Sequence, residues 1–241
     1  SFPDTQLILL LAGMGGLGLG FGLAFVYENF VGGINSDAQL ATVTRRPALG
    51  AVPLRKLPAD VFSASQFMVD APLSRYAESI RRLRTEIDQH LPDTRDGGKG
   101  RLIMVSSSVA DEGKTTLALS LARAYAASGK TTLFFDCDLR APAIYKHLNF
   151  EPDIGLLEYL AEGAEAKSLA SMIVRDGETG LSVLVGSRRS DIPTDQLVAG
   201  VAFERLIEAA ANNFDMVVLD TPPILSVVDG LHLARYADAI L

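Results

Sequence analysis

The sequence predicts an α/β fold: a mostly parallel sheet covered by helices on both faces, with a membrane-crossing helix ahead of it. Three observations carry that expectation. Residues 7–26 hold no charged side chain. From residue 102 onward, short runs that are apolar nearly throughout alternate with helical stretches, the pattern of strands buried on both faces. Three of those runs end in residue types that bind phosphate or metal. The expected division is a transmembrane helix with a short periplasmic lead (1–30), a cytoplasmic linker (31–72) and a nucleotide-binding domain (73–241).

Composition agrees. Its 241 residues hold one α/β domain and something smaller. A net charge of −7 argues against a general nucleic-acid binder. The single cysteine, Cys137, excludes an intrachain disulfide and suits a reducing compartment. With His90, His147 and His232 scattered, no metal-site spacing appears. The chain opens on Ser1 and stops at Ala239-Ile240-Leu241. That ending reads as the start of a buried strand, so a piece of a longer protein is expected.

Leu7–Val26 is long enough for a helix to cross a bilayer. Its six glycines would weaken a helix in water but are tolerated in lipid. Gly16 and Gly20, like Gly18 and Gly22, sit four apart and would let another helix approach. A signal peptide needs a basic lead, whereas Pro3 and Asp4 precede this run. Arg45, Arg46, Arg55 and Lys56 follow it, which puts the C-terminal side in the cytoplasm. The next stretch has prolines at 47, 53 and 58 and no sustained period.

Pro72 and Ser74 open a helix to about His90, with Tyr76, Ile80, Leu83 and Ile87 at helical spacing. A polar loop follows over Asp93–Gly100. Strands are expected at Leu102–Val105, Thr132–Asp136, Leu181–Val185 and Met216–Asp220, and helices at Lys114–Ser128, Leu156–Ala161 and Ala202–Asn212. Ligands of such sheets bind beyond the carboxyl ends of the strands.

The first motif is Ser106–Thr116, at a strand-to-helix turn. The stretch Ser108, Val109, Ala110, Asp111, Glu112, Gly113, Lys114, Thr115 and Thr116 would cradle phosphates with backbone N–H groups at a helix N-terminus. Lys114 would reach the β- and γ-phosphates, and the Thr115 hydroxyl would ligate Mg²⁺. Asp111 and Glu112 should point outward. In the second motif, Asp136 and Asp138 end a strand two residues apart and suit Mg²⁺ or the capture of a proton. A solvated loop with an N-cap is the bland alternative. Cys137 between them reads as a small apolar strand residue. The third motif, Met216–Pro223, ends four apolar residues in Asp220, which would hold Mg²⁺ directly or through water. Together the three predict MgATP binding.

These residues resemble the bacterial tyrosine kinases of capsular and exopolysaccharide export. That family has a Walker A loop, here Ser108–Thr115. Its Walker A′ motif is apolar residues followed by Asp-x-Asp-x-Arg, here Phe134–Arg140. Its Walker B motif ends Asp-Ser/Thr-Pro-Pro, here Met216–Pro223. The resemblance implies a P-loop NTPase fold of the MinD/ParA type, cofactors ATP and Mg²⁺, and tyrosine autophosphorylation between subunits at the inner membrane. Lys114 and Mg²⁺ would neutralise charge, and Arg140 would join the cofactor site. Asp136 would be the carboxylate near the phenol, with Asp138 and Asp220 serving the metal. The first two are interchangeable, so the metal set is drawn from Thr115, Asp136, Asp138 and Asp220.

Glu78-x-x-Arg81-x-x-Arg84 is similar to the motif with which these kinases form rings; otherwise it is a solvated face with i,i+4 pairs Glu78–Arg82 and Arg82–Glu86. Other implied partners are a neighbouring subunit's tyrosine tail, the polysaccharide polymerase and export machinery, and a tyrosine phosphatase. Val109 stands where MinD-type ATPases carry a signature lysine, Ser108 replaces the first loop glycine, and Tyr236 is the only tyrosine near the end. An ATP-switched non-catalytic assembly module and a MinD-like ATPase remain alternatives.

Overall fold

The structure, a computed structural model, describes residues 4–28, 33–34, 36–54, 57, 63–91, 98–140, 144, 156–162, 172–185 and 193–241. The chain divides into two compact units, residues 1–51 and 52–241. In the first, helix α1 (Thr5–Val26) opens on Asp4, whose carboxylate accepts from the Gln6 N–H. No α1 side chain is buried, and the helix is long and apolar enough to cross a membrane. Helix α2 (Asp37–Thr44) is capped by Ser36. It has no buried residue and so no apolar stripe by which the sequence would announce it. Arg45 and Arg46 are exposed. Pro3, Arg55, Lys56, Pro58 and His147, and most of the loop expected at 93–100, lie outside the described residues.

The second unit begins its ordered packing earlier than the linker expected over 31–72 allows. A 3-10 turn (Ala64–Gln66) runs into α3 (Phe67–Asp70). The Phe67 ring meets Tyr76 edge-on at 6.2 Å. Helix α4 (Arg75–His90) is capped by Ser74 and buries Tyr76, Ile80, Leu83 and Ile87, as its spacing predicts.

The remaining elements are β1 (Arg101–Val105), α5 (Lys114–Ala127), β2 (Thr132–Asp136), α6 (Leu156–Glu162), β3 (Ile173–Arg175), β4 (Ser182–Leu184), α7 (Thr194–Val198), α8 (Val201–Asn213), β5 (Met216–Asp220), α9 (Asp229–Ala234) and β6 (Ala239–Ile240). The sheet order is β3-β4-β2-β5-β1-β6, with only β3 antiparallel. Every residue of β1, β2 and β5 is buried, because both faces are covered. Leu102, Leu133, Phe135 and Val217 share a core with Phe203, Leu206 and Ile207 of α8. Ile103, Phe134 and Val218, of opposite parity, are equally buried where α5 packs.

Two features depart from the sequence reading. Strand β3 was invisible to it: three half-buried or exposed residues carry no strand signal. The chain's last residues do form a strand on β1, but at the sheet's edge, and Ile240 is 56% exposed rather than buried. At Gly100 the backbone passes so close to helix α8's end that a Cβ would lie 1.7 Å from the Phe214 carbonyl oxygen.

Candidate nucleotide site

The loop between β1 and α5 makes its turn with two left-handed residues, Asp111 at φ 63° and Gly113 at φ 87°. Aspartate is among the few side chains that tolerate this region. Ser108 is not in a positive-φ conformation, so the missing glycine costs no backbone strain. Glu112 departs from the expectation that it points outward. It is exposed, yet its Oε2 accepts from the N–H groups of Ser108 (2.8 Å) and Val109 (3.2 Å). Unpaired loop N–H groups attract the nearest carboxylate, and Glu112 is within reach.

The chain leaving β5 braces this loop. The Ile224 N–H donates to Ser107 O (2.9 Å), the Ser106 hydroxyl to Pro222 O (3.0 Å), and the Thr221 hydroxyl to Val105 O (3.1 Å).

Parallel pairing in register sets Asp136 beside Asp220 at the carboxyl ends of β2 and β5. Lys114 Nζ lies 2.9 Å from Asp138 Oδ2, 3.6 Å from Asp220 Oδ1 and 3.4 Å from Thr115 Oγ1. Asp136 Oδ1 accepts from the Asp138 N–H at 3.2 Å. Asp136 Oδ2 and Asp220 Oδ1 are buried without a hydrogen-bond partner. Burial, then the neighbouring Asp220 and Asp138 carboxylates, push Asp136 well above the ordinary carboxylate range. Burial pushes Asp220 up to about 6, against the pull of Lys114. Burial alone would lower Lys114, but Asp220 and Asp138 outweigh it and hold it above the ordinary lysine value.

Among the described residues, three carboxylates around one ammonium leave this place short of positive charge. The two orphaned oxygens fit a divalent cation. Among the described residues no cluster of three or more His, Cys, Asp or Glu is arranged to bind a metal alone. Magnesium does not need one, since it takes one or two carboxylates plus phosphate oxygens and water. Cys137 donates its N–H to Asp220 O at 2.8 Å. Burial raises its thiol pKa well above the ordinary value, which keeps it protonated and unreactive.

Arg140 goes elsewhere than the cofactor loop. Its Nε and Nη2 each lie 3.3 Å from the Asp229 carboxylate, which is buried at the start of α9 and also accepts from the Thr194 hydroxyl. Sequence reading missed Asp229 and Thr194, because each sits in a short helix well past the preceding strand's end, with no motif around it.

The expected common face of Glu78, Arg81 and Arg84 is split. Arg81 Nη2 pairs with Glu78 Oε2 at 2.7 Å and Nη1 donates to Pro72 O. Arg84 instead donates to Ala124 O at 2.9 Å, and its Nε is buried without a partner. Each step of three residues slips about 60° around a helix, which turns Arg84 toward the buried stripe. Of the expected i,i+4 pairs, Glu78–Arg82 forms at 3.7 Å; Arg82–Glu86 is not among the ion pairs of the described residues.

Residues 100–241 match the AAA domain family. The chain is 38% identical over 179 residues to the succinoglycan biosynthesis transport protein ExoP of Rhizobium meliloti (strain 1021), covering 73% of this chain and 22% of that protein. It is 33% identical over 167 residues to tyrosine-protein kinase YwqD of Bacillus subtilis (strain 168), covering 69% of this chain and 67% of that one. Its fold matches the kinase domain of Escherichia coli tyrosine kinase ETK with a TM-score of 0.74 and 24% identity, over 86% of this chain and 80% of that one. The chain spans 22% to 32% of the length of the first curated relatives. A P-loop on a parallel sheet, with three strand-end aspartates around its lysine, is thus joined to a sequence relationship over most of the chain: the protein belongs to the bacterial tyrosine-protein kinases and carries their AAA domain.

Proposed function

We propose that the chain is the ATP-dependent tyrosine-autokinase part of a membrane protein that regulates polysaccharide chain length and export. The observation that carries this is the cluster of Lys114, Asp136, Asp138 and Asp220, with two buried carboxylate oxygens lacking a hydrogen bond beside a P-loop. Lys114 and the loop N–H groups would bind the β- and γ-phosphates. Thr115, Asp138 and Asp220 would hold Mg²⁺, which when bound neutralises phosphate charge. A tyrosine phenol from a neighbouring subunit's tail attacks the γ-phosphorus, the bond to the β-phosphate oxygen breaks, and ADP leaves. Asp136 accepts the phenol proton. Buried and unpaired at Oδ2, it is the carboxylate suited to a proton.

Helix α1 would cross the inner membrane, and Arg45 and Arg46 behind it favour a cytoplasmic kinase domain. Ring assembly would use Glu78 and Arg81, with Arg84 holding α4 to α5 within its own subunit. The polysaccharide machinery and a phosphatase complete the expected partners. We place the start of the kinase unit near residue 63, where packing onto α5 begins.

The test is phosphotyrosine formation from labelled ATP by the full-length protein. Lys114→Met should abolish it and weaken nucleotide binding in a folded chain. Unchanged turnover would sink the reading.

A further inference from the structure

A cavity of about 790 Å³ lies at the other end of the sheet from the phosphate loop. It opens beside Thr132, the first residue of β2, whereas Asp136 ends the same strand. The two places are therefore roughly 13 Å apart along the strand. The size is that of a small-molecule pocket.

Its lining is of two kinds. Ile173, Phe214, Ala126 and Ala209 form apolar walls, and Lys130 and Arg175 supply positive charge. No acidic side chain lines it among the described residues, although the chain as a whole carries −7. Neither Lys130 nor Arg175 has an ion pair among the described residues. Asp215, whose ionised form Lys130 favours, is already engaged by the N–H (2.8 Å) and hydroxyl (2.7 Å) of Thr131.

The walls are braced. The turn between β3 and β4 is tied to α5 by a buried ion pair, Arg123 Nε to Asp176 Oδ2 at 3.0 Å. Asp176 Oδ2 also accepts from the Thr179 hydroxyl at 3.0 Å, and Arg123 donates to Ser65 O at 3.1 Å. Arg175 is exposed and Lys130 partly buried, and a part-apolar pocket whose charged lining is cationic alone favours an anion over a cation or a neutral ligand.

We propose that this cavity binds a small organic anion, a phosphate or carboxylate carried on a flat or apolar body, with Lys130 and Arg175 on the charged group. The site is separate from the nucleotide site and does not depend on the function proposed above.

The probe is pyridoxal 5′-phosphate, an aromatic phosphate with an aldehyde. The aldehyde condenses with a lysine amine, losing water, and borohydride reduces the imine to a stable secondary amine. Peptide mass spectrometry of the full chain then reads labelling lysine by lysine. Lys130 should label about tenfold faster than Lys99, about 1.4 kcal/mol at 25 °C. Arg175→Glu should remove that advantage and leave Lys99 unchanged. Ala209→Phe, which fills the cavity without altering charge, should do the same. Phenyl phosphate should protect Lys130 at lower concentration than inorganic phosphate. Labelling of Lys130 no faster than that of Lys99, or insensitive to both variants, would overturn the site. Equal protection by the two phosphates would overturn the apolar body.

Discussion

The two ends of one sheet carry opposite charge deficits. At the carboxyl end, Asp136, Asp138 and Asp220 surround one ammonium among the described residues, and two buried carboxylate oxygens lack a hydrogen bond. At the amino end, Lys130 and Arg175 line a cavity without an acid among its described residues. There too Arg101 is buried on Asp88 with two guanidinium nitrogens unpaired. Both ends rest on the same strands. A fold supplies the platform, and the loops at each end decide which sign of charge is missing.

The largest expected effect falls at the carboxyl end. Lys114→Met removes the ammonium that sits among three carboxylates, and phosphotyrosine formation should fall on the order of 10³-fold, as for loss of a preorganised charge donor. Single-turnover assays with labelled ATP check this. A similar loss from Lys130→Met would erase the contrast between the ends.

Gly100→Ala tests the backbone approach beneath the amino end. A Cβ there meets the Phe214 carbonyl, and overpacking of this kind costs about 1–3 kcal/mol. Denaturant melts should lose that much stability, whereas a shift within error would mean the helix end yields freely.

The pH dependence sharpens the comparison. Asp220 has its folded pKa raised from 3.8 to about 6 by burial, so its neutral form is favoured in the folded domain. The associated stability is present below pH 3.8 and is lost as pH rises through about 6. Binding of Mg²⁺ prefers the ionised carboxylate, so MgATP affinity should rise over the same window. Asp220→Asn should flatten the stability profile measured without nucleotide. An unchanged slope would assign the titration to another group.

A smaller effect is expected from Asp229→Asn, which weakens the hold on Arg140. Kinase turnover should drop about tenfold or less, with ATP affinity nearly unchanged, since Arg140 makes no hydrogen bond to the loop among the described residues; a large loss of ATP affinity would restore Arg140 to the cofactor site. Arg81→Ala should be smallest for the isolated subunit, within about 1 kcal/mol, because its pair with Glu78 is surface-exposed.

Much of this is legible in the sequence. Strands β1, β2 and β5 announce themselves because both faces are buried, leaving unbroken apolar runs that end in aspartate. The pairing of Asp136 with Asp220 follows from strand order, which no local pattern encodes. Arg84 turns toward Ala124 within its own subunit, because helical spacing fixes an angle and not which neighbour lies there. Asp229 and Thr194 meet across 35 positions of chain, and the cavity is built from α5, the β3–β4 turn and the end of α8. Such sites belong to tertiary packing and leave no motif.

Glu112 has one further consequence. Its carboxylate already accepts from the N–H groups of Ser108 and Val109, so the loop holds an acceptor of its own. An arriving anion gains there only the difference between itself and that resident acceptor. A monophosphate offers little more than a carboxylate, while a triphosphate brings further oxygens to Lys114 and the helix start. Such a loop would reject weak competitors and admit the long polyphosphate. Glu112→Ala should make inorganic phosphate a better inhibitor of ATP binding, and no change in that competition would refute the idea. Selectivity here would come from an occupant the protein carries within itself.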